Sequence, residues 1–445
     1  MRSANIMMIS KIKITCLILA ALPLFCYAQE NSPYTRYGIG NLIPQGNIAN
    51  RAMGGISAGV SDATIVNTVN PATYSGLIYS TLDIGAEYDG LNLKSKEPIG
   101  SFKSNNGIIS YLELGIPLLS GNKKAQKNKI SWGMAIGLKP ISKINYKVGS
   151  GAYSIDSSLT TYEGTGGVNE AFLGTGIRVK NFSIGFNTGY LFGEKSYNTR
   201  LYFNNTITSQ DSNYYYRTHY GSQTRFGGIF LDAGMQYAFK FKKSSLVLGA
   251  YGTLQKKYSG SKDEVLETFD YNSQSESPQP IDTASSITEK GKVQLPSTFG
   301  IGFTYSNQHV LIGADYETTN WSNYSFFGQK DFLKNSWNAK IGLQYLPATE
   351  GATGYFNYVK YRAGFSFGQD YIDIEKSLPI YTVSIGGAFP MKLKHNFYDN
   401  QYSIMNLTFE YGNRGNSNNN ITESTYKLSI GFSLSDIWFL RQKYQ

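Results

Sequence analysis

The sequence has very little cysteine, and both cysteines lie near its start. Cys16 and Cys26 precede residue 28, and no cysteine follows in the rest of the chain. A disulfide framework, a zinc–thiolate centre and a cysteine nucleophile are therefore excluded from the remaining sequence.

Charged residues and long apolar runs are also scarce. Charged residues make up 16% of the chain, against about 25% in typical soluble domains. After residue 28, no apolar run approaches the roughly 20 residues that a membrane helix needs. Together with 35 tyrosines and 47 glycines, these scarcities are typical of transmembrane β-barrels, in which aromatic girdles flank the apolar band.

The beginning of the chain has the pattern of a secretory signal peptide. Basic residues between positions 2 and 13 precede an apolar core at 14–25, which is too short to cross a bilayer as a helix. Ala28 is a small residue that fits cleavage directly after it. Lipidation at Cys26 is the alternative, which the bulky residue before it disfavours.

The charge balance is basic. The chain has 41 lysines and arginines against 31 acidic residues, a formal net charge of +10. Three of the cations belong to the predicted leader, so the exported chain would carry +7. In an exported protein this excess indicates contact with anionic lipid rather than with nucleic acid.

Most of the chain after residue 77 alternates apolar with polar residues. Successive side chains of a strand point to opposite faces, so alternation indicates one apolar and one polar face. This register directs Leu407 and Ile430 to lipid, and Thr408 and Ser429 to the lumen, where an arginine substitution is expected to cost less. The clearest runs are 231–239, 339–345, 405–411 and 426–434.

We predict an all-β fold, a transmembrane antiparallel barrel of about fourteen strands. An even number is usual in bacterial barrels. Tight turns alternate with long polar segments, of which 200–222 and 258–294 are predicted to be outer loops. The predicted strands are 78–90, 106–117, 128–148, 166–180, 181–199, 223–241, 243–257, 295–306, 308–320, 334–347, 355–368, 379–391, 400–412 and 423–438.

Residues 29–77 do not alternate and are rich in glycine and small side chains. Their apolar members need burial, which favours a hatch inside the barrel over a flexible periplasmic tail. Those members are Met53, Ile56, Val60, Ile65 and Val69. The predicted domains are a signal peptide at 1–28, a hatch at 29–77 and a barrel at 78–445.

The hatch carries a recognisable motif. It consists of Arg51, Gly54, Gly55, Asp62, Asn70, Pro71 and Ala72. This pattern resembles the hatch of the FadL-type (OMPP1/FadL/TodX-like) outer-membrane transport family. The resemblance covers residues 51–77 by motif and the barrel by architecture. It implies a fourteen-stranded barrel with an N-terminal plug in the bacterial outer membrane, and hatch-gated transport of fatty acids or other hydrophobic small molecules.

Two further segments resemble outer-membrane proteins of the Bacteroidota, the opening 31–34 and the closing 437–439. Some FadL-like proteins there are subunits of larger machines, such as the substrate shuttle of type IX secretion, and barrel-like subunits also accompany the outer-membrane assembly machinery. This implies a second function, a non-transporting barrel subunit or scaffold of a secretion or assembly complex. The implied partners are outer-membrane lipid and lipopolysaccharide, with either a hydrophobic ligand or other outer-membrane proteins and lipoproteins.

A set of charged residues is predicted to face the lumen. It mixes both signs, as expected for a salt-bridged interior that holds the hatch, and a hydrophilic conduit is the alternative. A fatty-acid tail would need an apolar lumen, so the set departs from the family's usual substrate. Its members are Glu87, Glu113, Lys139, Asp232, Asp315, Glu317, Lys340, Arg362, Glu410 and Lys427.

Catalytic constellations are weak. His219, predicted in an outer loop near Asp211, has no recognisable nucleophile motif beside it. His309 and His395 are predicted in solvated periplasmic turns. We therefore expect no enzyme activity.

Ligand-binding motifs are weak as well. Asp370, Asp373 and Glu375 could supply oxygen ligands to calcium, but they lack a defined spacing, which favours a solvated loop. The glycines at 164, 166 and 167 lack a following helix and lysine, so they do not indicate a phosphate site. We expect no metal and no cofactor.

Overall fold

The structure, a computed structural model, describes residues 32–119, 129–152, 158–203, 215–271, 277–349, 353–374, 377–391 and 402–436. The predicted signal peptide and the closing motif at 437–439 lie outside the described residues, as does Asn31.

Fourteen antiparallel strands form a closed barrel, as predicted, and the last strand pairs with the first. The strands are β1 (Ser80–Lys96), β2 (Ile99–Leu119), β3 (Ile130–Ala152), β4 (Ser158–Val179), β5 (Phe182–Phe203), β6 (Arg217–Lys240), β7 (Ser244–Thr253 and Lys256–Tyr271), β8 (Pro278–Leu295 and Thr298–Asn307), β9 (Val310–Thr319), β10 (Ser336–Tyr345), β11 (Lys360–Gln369), β12 (Pro379–Pro390), β13 (Tyr402–Arg414) and β14 (Ile421–Asp436). β7 and β8 are each interrupted by two residues, and their matching segments pair with each other.

The strands differ greatly in length. β9 to β11 have 10 residues each, the length that crosses a bilayer, whereas β6 has 24. A strand of that length, tilted as in membrane barrels, rises roughly 60 Å, about twice the height of the apolar band. β3 to β8 therefore stand well above the membrane at one end, which we call the outer end because extended hairpins lie outside the cell in such barrels.

The prediction of long loops at 200–222 and 258–294 was wrong in its main part. The described residues there continue β5, β6, β7 and β8 as paired strands. Above the membrane both faces of a strand meet water, so no continuous apolar row is needed. Without that row the alternation that indicates a strand disappears from the sequence.

The inside–outside register agrees with the alternation. Leu428 and Phe409 on the outer face are 57% and 43% exposed, whereas Ser429 and Thr408 on the inner face are 0% and 1% exposed. The inner residues are covered by the hatch, so their burial is protein packing rather than contact with lumen water.

Residues 32–79 lie inside the barrel and run from its outer end towards the opposite, periplasmic end. They form a 3₁₀ turn at Pro33–Arg36, a short strand at Asn41–Leu42, a helix at Ile48–Arg51 and a 3₁₀ helix at Pro71–Gly76. The connection between β9 and β10 contains a 3₁₀ turn at Trp321–Asn323 and a strand at Ser325–Phe326, and that between β10 and β11 a 3₁₀ turn at Tyr355–Tyr358. Among the described residues, no helix is long and apolar enough to span a membrane.

A seam interrupts the wall between β2 and β3. Their pairing runs only from Leu119–Trp132 to Leu112–Leu138. Beyond that point β3 takes a strand of the hatch as its partner, with Asn41 opposite Lys143. The hatch therefore supplies hydrogen bonds that the neighbouring wall strand does not.

Candidate functional site

The hatch has its own apolar centre. Met53, Ile56 and Val60 are buried against one another and against Leu311 of β9. Ile65 is also buried, and Val69 is partly exposed. These side chains account for the burial that the sequence of this segment requires.

Arg51 fixes the hatch at mid-barrel. It is the last residue of a one-turn helix capped by Asn47, whose side chain accepts a hydrogen bond from the Asn50 amide. Its guanidinium forms ion pairs with Glu87 of β1 and Glu410 of β13. Burial alone would lower the pKa of Arg51, but the two carboxylates raise it well above its ordinary value. Arg51 is therefore held as a cation between two wall carboxylates, on the strands to either side of β14.

Further ion pairs surround this centre. Lys427 of β14 lies 3.4 Å from Glu87 and 3.5 Å from Asp89. Lys340 of β10 lies 3.1 Å from Glu317 of β9. Charges of opposite sign thus meet around the hatch, which offsets part of the cost of removing them from water.

The wall also binds the hatch backbone. One carboxylate oxygen of Asp315 accepts hydrogen bonds from the amides of Ser57 (2.6 Å) and Ala58 (2.8 Å). The Ala58 carbonyl in turn accepts from Gln236 of β6 at 2.8 Å and from Asn70 of the hatch at 2.7 Å. Side chains of β6 and β9 thus satisfy this turn of the hatch together with Asn70.

Glycines in the wall let the hatch approach closely. A Cβ at Gly364 would lie 1.9 Å from the backbone nitrogen of Gly54, and one at Gly249 would lie 1.9 Å from the Ala58 carbonyl oxygen. Gly54 itself has φ +68°, a conformation that favours glycine. Other wall glycines have the same role against hatch backbone: Gly133, Gly176, Gly185 and Gly342. The sequence analysis did not assign these glycines a function.

The Asn-Pro-Ala motif seats the end of the hatch. Asn70 is extended (φ −120°, ψ 97°), and its side-chain oxygen accepts a hydrogen bond from the Ala72 amide at 3.2 Å. Pro71 begins the 3₁₀ helix, where its missing N–H costs nothing. Ala72 is fully buried near Gly185 of β5. Local hydrogen bonding and close approach thus act together at this turn.

Asp62 ties the hatch to the periplasmic end of the wall. Its carboxylate lies 2.9 Å from Lys360 at the start of β11 and accepts hydrogen bonds from the amide and hydroxyl of Thr64. Burial would raise the pKa of Asp62, but Lys360 and Thr64 lower it below its usual value. Asp62 therefore stays ionised over the physiological range.

The first residues of the hatch close the outer mouth. The Gly38 carbonyl accepts hydrogen bonds from Lys195 (2.8 Å) and from Tyr324 (3.0 Å). The Gly40 carbonyl accepts one from Tyr371 at 2.6 Å. These donors come from β5 and from two outer connections, so three parts of the barrel meet on one short stretch of hatch.

A second ion-pair group lies beside this contact. Arg414 pairs with Asp370 and, at 3.2 Å, with Glu423, and it also donates to Asn41 of the hatch. The sequence analysis missed Arg414 and Glu423 as lumen residues. Glu423 shares the face of Lys427, so the period of two could have identified it, whereas Arg414 lies beyond the predicted end of its strand.

The remaining predicted lumen residues are also buried or partly buried on the inner side. Glu113 is 2% exposed and lies 3.4 Å from the Thr68 hydroxyl of the hatch. Asp232 accepts a hydrogen bond from Thr253 at 2.6 Å, and Arg362 donates to Asn406 at 2.7 Å. Lys139 lies 3.7 Å from Glu170.

A cavity of about 550 Å³ remains between hatch and wall. It reaches the seam beside β3 and is lined by backbone and side chains from both parts. Its charged lining residues include Arg51, Glu87, Lys139, Glu170, Asp232, Glu317, Lys340, Asp370, Glu410, Arg414, Glu423 and Lys427. Apolar side chains such as Leu42, Ile108 and Ile141 also line it, and most of its lining surface is apolar.

The predicted position of His219 was wrong. It lies inside β6 rather than in a loop, and its ring nitrogens face Glu267 (2.8 Å) and Asn198 (2.9 Å). These partners contain no nucleophile. His309 lies in the turn between β8 and β9, 3.0 Å from the Leu346 carbonyl oxygen. Asp211 and His395 lie outside the described residues.

The acidic residues weighed as calcium ligands have other partners. Asp370 pairs with Arg414, and Asp373 lies 3.0 Å from Lys334. Glu375 lies outside the described residues. Within the described part of the chain, no group of three or more histidine, cysteine, aspartate or glutamate side chains could hold a metal ion.

Solved structures share the fold. The toluene transporter TodX of Pseudomonas putida matches with a TM-score of 0.54 and 14% identity, covering 89% of this chain and all of TodX. The Ralstonia pickettii toluene transporter TbuX matches with a TM-score of 0.52 and 13% identity, covering 88% of this chain and 99% of TbuX. The CymD monoaromatic hydrocarbon channel matches with a TM-score of 0.50 and 13% identity, covering 92% of this chain and all of CymD.

At these identities the likeness establishes the FadL-type barrel fold and nothing finer. A search of curated proteins finds no match. The BamG family model matches residues 8–445, nearly the whole sequence. The chain therefore belongs to the BamG family.

Proposed function

We propose that this protein is a hatch-closed, non-transporting barrel subunit of an outer-membrane protein assembly complex. In this role the barrel holds a position in the outer membrane, and other outer-membrane proteins or lipoproteins are its partners. No catalysis is involved.

The observation that carries the proposal is the seat of Arg51. A hatch that opens for each solute must break its contacts at low cost, yet removing one partner from a buried ion pair costs about 3–5 kcal/mol. Arg51 has two such partners, on strands from separate parts of the chain. The ion pairs of Arg51 therefore favour a hatch that stays closed.

The wall glycines and the outer mouth support the same conclusion. Close backbone approach at Gly249 and Gly364 leaves no space between hatch and wall there. At the outer mouth, donors from three barrel segments hold Gly38 and Gly40. A solute would have to displace both contacts to pass.

The charges around the remaining cavity also disfavour a hydrophobic substrate. An apolar solute lying beside them would strip water from them. Most of the lining surface is apolar, but many charged side chains share it, whereas a site for such ligands usually has few polar groups. Membership in the BamG family likewise favours the complex subunit over the transporter.

A hydrophobic-solute channel is the second candidate, and the seam between β2 and β3 favours it. The seam lies where the cavity meets the wall, and Leu42, Ile108 and Ile141 border the cavity there. Moving the hatch strand Asn41–Leu42 away from β3 would open a sideways path into the membrane.

Two measurements separate these functions. Extraction of the tagged protein in mild detergent, followed by mass spectrometry, should recover a stoichiometric outer-membrane partner. In vesicles, the intact protein should not take up a hydrophobic probe such as toluene, and in planar bilayers it should not conduct.

Deletion of residues 32–70 provides the matched control. The barrel should still insert, because its backbone hydrogen bonds are made between strands, and its conductance should rise. Uptake of the probe by the intact protein, with no partner recovered, would overturn the proposal in favour of the channel.

A further inference from the structure

A groove of about 750 Å³ lies on the outside of the wall, across β4 to β7, with Lys290 of β8 on its border. We propose that this groove binds a phosphate-bearing lipid of the outer leaflet, with its acyl chains along Tyr190 and Phe192 and its phosphate on Arg225 and Lys290. The site is separate from the hatch, so its failure would leave the proposed function standing.

The groove lies on the face that meets lipid. Tyr190 and Phe192 are 53% and 42% exposed, and they alternate with the buried Leu191. Ile229, opposite Tyr190 on β6, is 62% exposed. The lower part of the groove therefore opens to the acyl chains of the bilayer.

Successive cross-strand rows change from apolar to basic towards the outer end. Above the Tyr190–Ile229 row, Phe192 pairs with Gly227, Gly227 with Ser259, and Ser259 with Lys292. The next row places Glu194, Arg225, Ser261 and Lys290 opposite one another on four strands. This order matches a lipid, whose acyl chains lie below its charged headgroup.

Gly227 lets the Tyr190 side chain lie close against the wall. A Cβ there would lie 2.7 Å from the Leu191 carbonyl oxygen and 3.1 Å from both the ring and the hydroxyl of Tyr190. Tyr190 therefore covers Gly227 and forms part of the apolar floor of the groove, against which an acyl chain can pack.

The charges of the upper row suit an anion. Arg225 lies 3.7 Å from Glu194, which also accepts a hydrogen bond from Gln223 at 2.6 Å. Among the described residues, Lys290 has no acidic partner within ion-pair distance. Two cations against one carboxylate leave a net positive row, and Lys292 extends it one row lower.

The position in the membrane determines the occupant. Exposed apolar and aromatic side chains face outward along β5 from Phe182 to Phe192, about the length needed to cross a bilayer. Glu194 follows directly beyond this run, with Arg225 opposite it and Lys290 in the same row, at the level where headgroup phosphates are found. A lipid reaches both halves of the groove from there, whereas a free phosphate would use only the upper row.

The test uses the full mature protein in nanodiscs containing phosphatidylcholine and a small fraction of lipid A. After release into mild detergent, native mass spectrometry should show lipid A retained by the wild type. Dephosphorylated lipid A should be retained less. The Arg225→Gln/Lys290→Gln variant should lose on the order of tenfold or more in retention, because both cations of the upper row are removed.

Lys94→Gln/Lys103→Gln is the matched control, because it removes two exposed lysines from the outer parts of β1 and β2. Gly227→Val should reduce retention by displacing Tyr190 from the groove floor, and heat-modifiable mobility verifies its folding. Equal loss in both double variants, or no retention by the wild type, would overturn the proposal. Full displacement of lipid A by inorganic phosphate would indicate an ion site and would also overturn it.

Discussion

Arg51 of the hatch and Glu410 of β13 are 359 positions apart in sequence, and their side chains meet in the centre of the barrel. The Arg51 Nε donates to a Glu410 carboxylate oxygen at 3.0 Å, and the Nη2 pairs with the same oxygen. Glu87, 36 positions from Arg51, accepts a hydrogen bond from the Nη1 of the same guanidinium. One residue therefore joins the hatch to both ends of the wall sequence, near where the barrel closes.

Replacement of Arg51 by methionine should loosen the hatch. It leaves Glu410 buried without this counter-charge and Glu87 with Lys427 alone, so the free energy of hatch opening should fall by about 3–5 kcal/mol. Hydrogen-exchange mass spectrometry on peptides covering residues 48–60 measures that fall.

The controls separate charge from packing. Arg36→Met alters an exposed arginine of the same segment and should leave exchange unchanged. Adding Glu87→Gln and Glu410→Gln to Arg51→Met should restore most of the protection. Unchanged exchange in Arg51→Met alone would mean that the ion pairs do not hold the hatch.

A side chain at Gly364 should displace the hatch without unfolding the barrel. The Cβ of Gly364→Ala would lie 1.9 Å from the Gly54 nitrogen, and overpacking of this kind costs about 1–3 kcal/mol. Protease cleavage within the hatch should therefore speed up, while heat-modifiable mobility of the barrel persists.

Gly100→Ala is the control for this substitution. Its Cβ would meet only the Pro98 carbonyl, at 3.9 Å, so cleavage should stay at the wild-type rate. If Gly364→Ala also leaves cleavage unchanged, the hatch can shift away from β11 without loss.

The sequence predicts the barrel well because lipid imposes a strict rule. Every second residue of a spanning strand must be apolar, and the run from 426 to 434 obeys it over its whole length. Water imposes no such rule on the outer strand segments, so the hairpin of β7 and β8 looked like a loop. The solvent on each face of a strand, lipid or water, determines whether its sequence alternates, and its hydrogen bonding does not.

The candidate site is predictable only in part, for a related reason. Alternation identifies which charges face inward, and their mixed signs indicate ion pairs. It does not identify partners, because Arg51 could have met any inward carboxylate, and only the path of the hatch selects Glu87 and Glu410. The wall glycines gave no signal, since a glycine that seats a backbone and one that bends a strand look alike in one sequence.

Arginine substitutions on the two faces of β13 should destabilise the protein for different reasons. Leu407→Arg places a charge in lipid and should cost about 2–4 kcal/mol of barrel stability. The sequence-based expectation that Thr408→Arg costs less does not allow for the hatch, because the buried Thr408 hydroxyl donates to the Ile48 carbonyl at 3.0 Å. Thr408→Arg should therefore expel the hatch.

Removing the hatch distinguishes the two costs. In a variant lacking residues 32–70, Thr408→Arg should be nearly neutral in urea unfolding, whereas Leu407→Arg should keep its full effect. A larger cost at Thr408 than at Leu407 in the truncated barrel would show that the inside–outside register is inverted.

The contact between Asp62 and Lys360 should give hatch closure a pH dependence in acid only. The pKa of Asp62 is lowered in the folded protein, mainly by Lys360 acting against burial. A group of this kind stabilises fully above its unfolded pKa, about 3.9, and its contribution is lost as pH falls through the folded value. Protection of residues 60–66 should therefore be level from pH 8 to about pH 5 and should decline below about pH 4.

Asp62→Asn tests this directly. The amide cannot ionise, so the variant should exchange faster than the wild type at pH 7, and the difference should shrink as acid protonates Asp62 in the wild type. Hydrogen exchange, corrected for its intrinsic pH dependence, measures the difference at each pH. A difference that persists unchanged down to pH 2 would mean that the ionised carboxylate of Asp62 is not what holds this segment to Lys360.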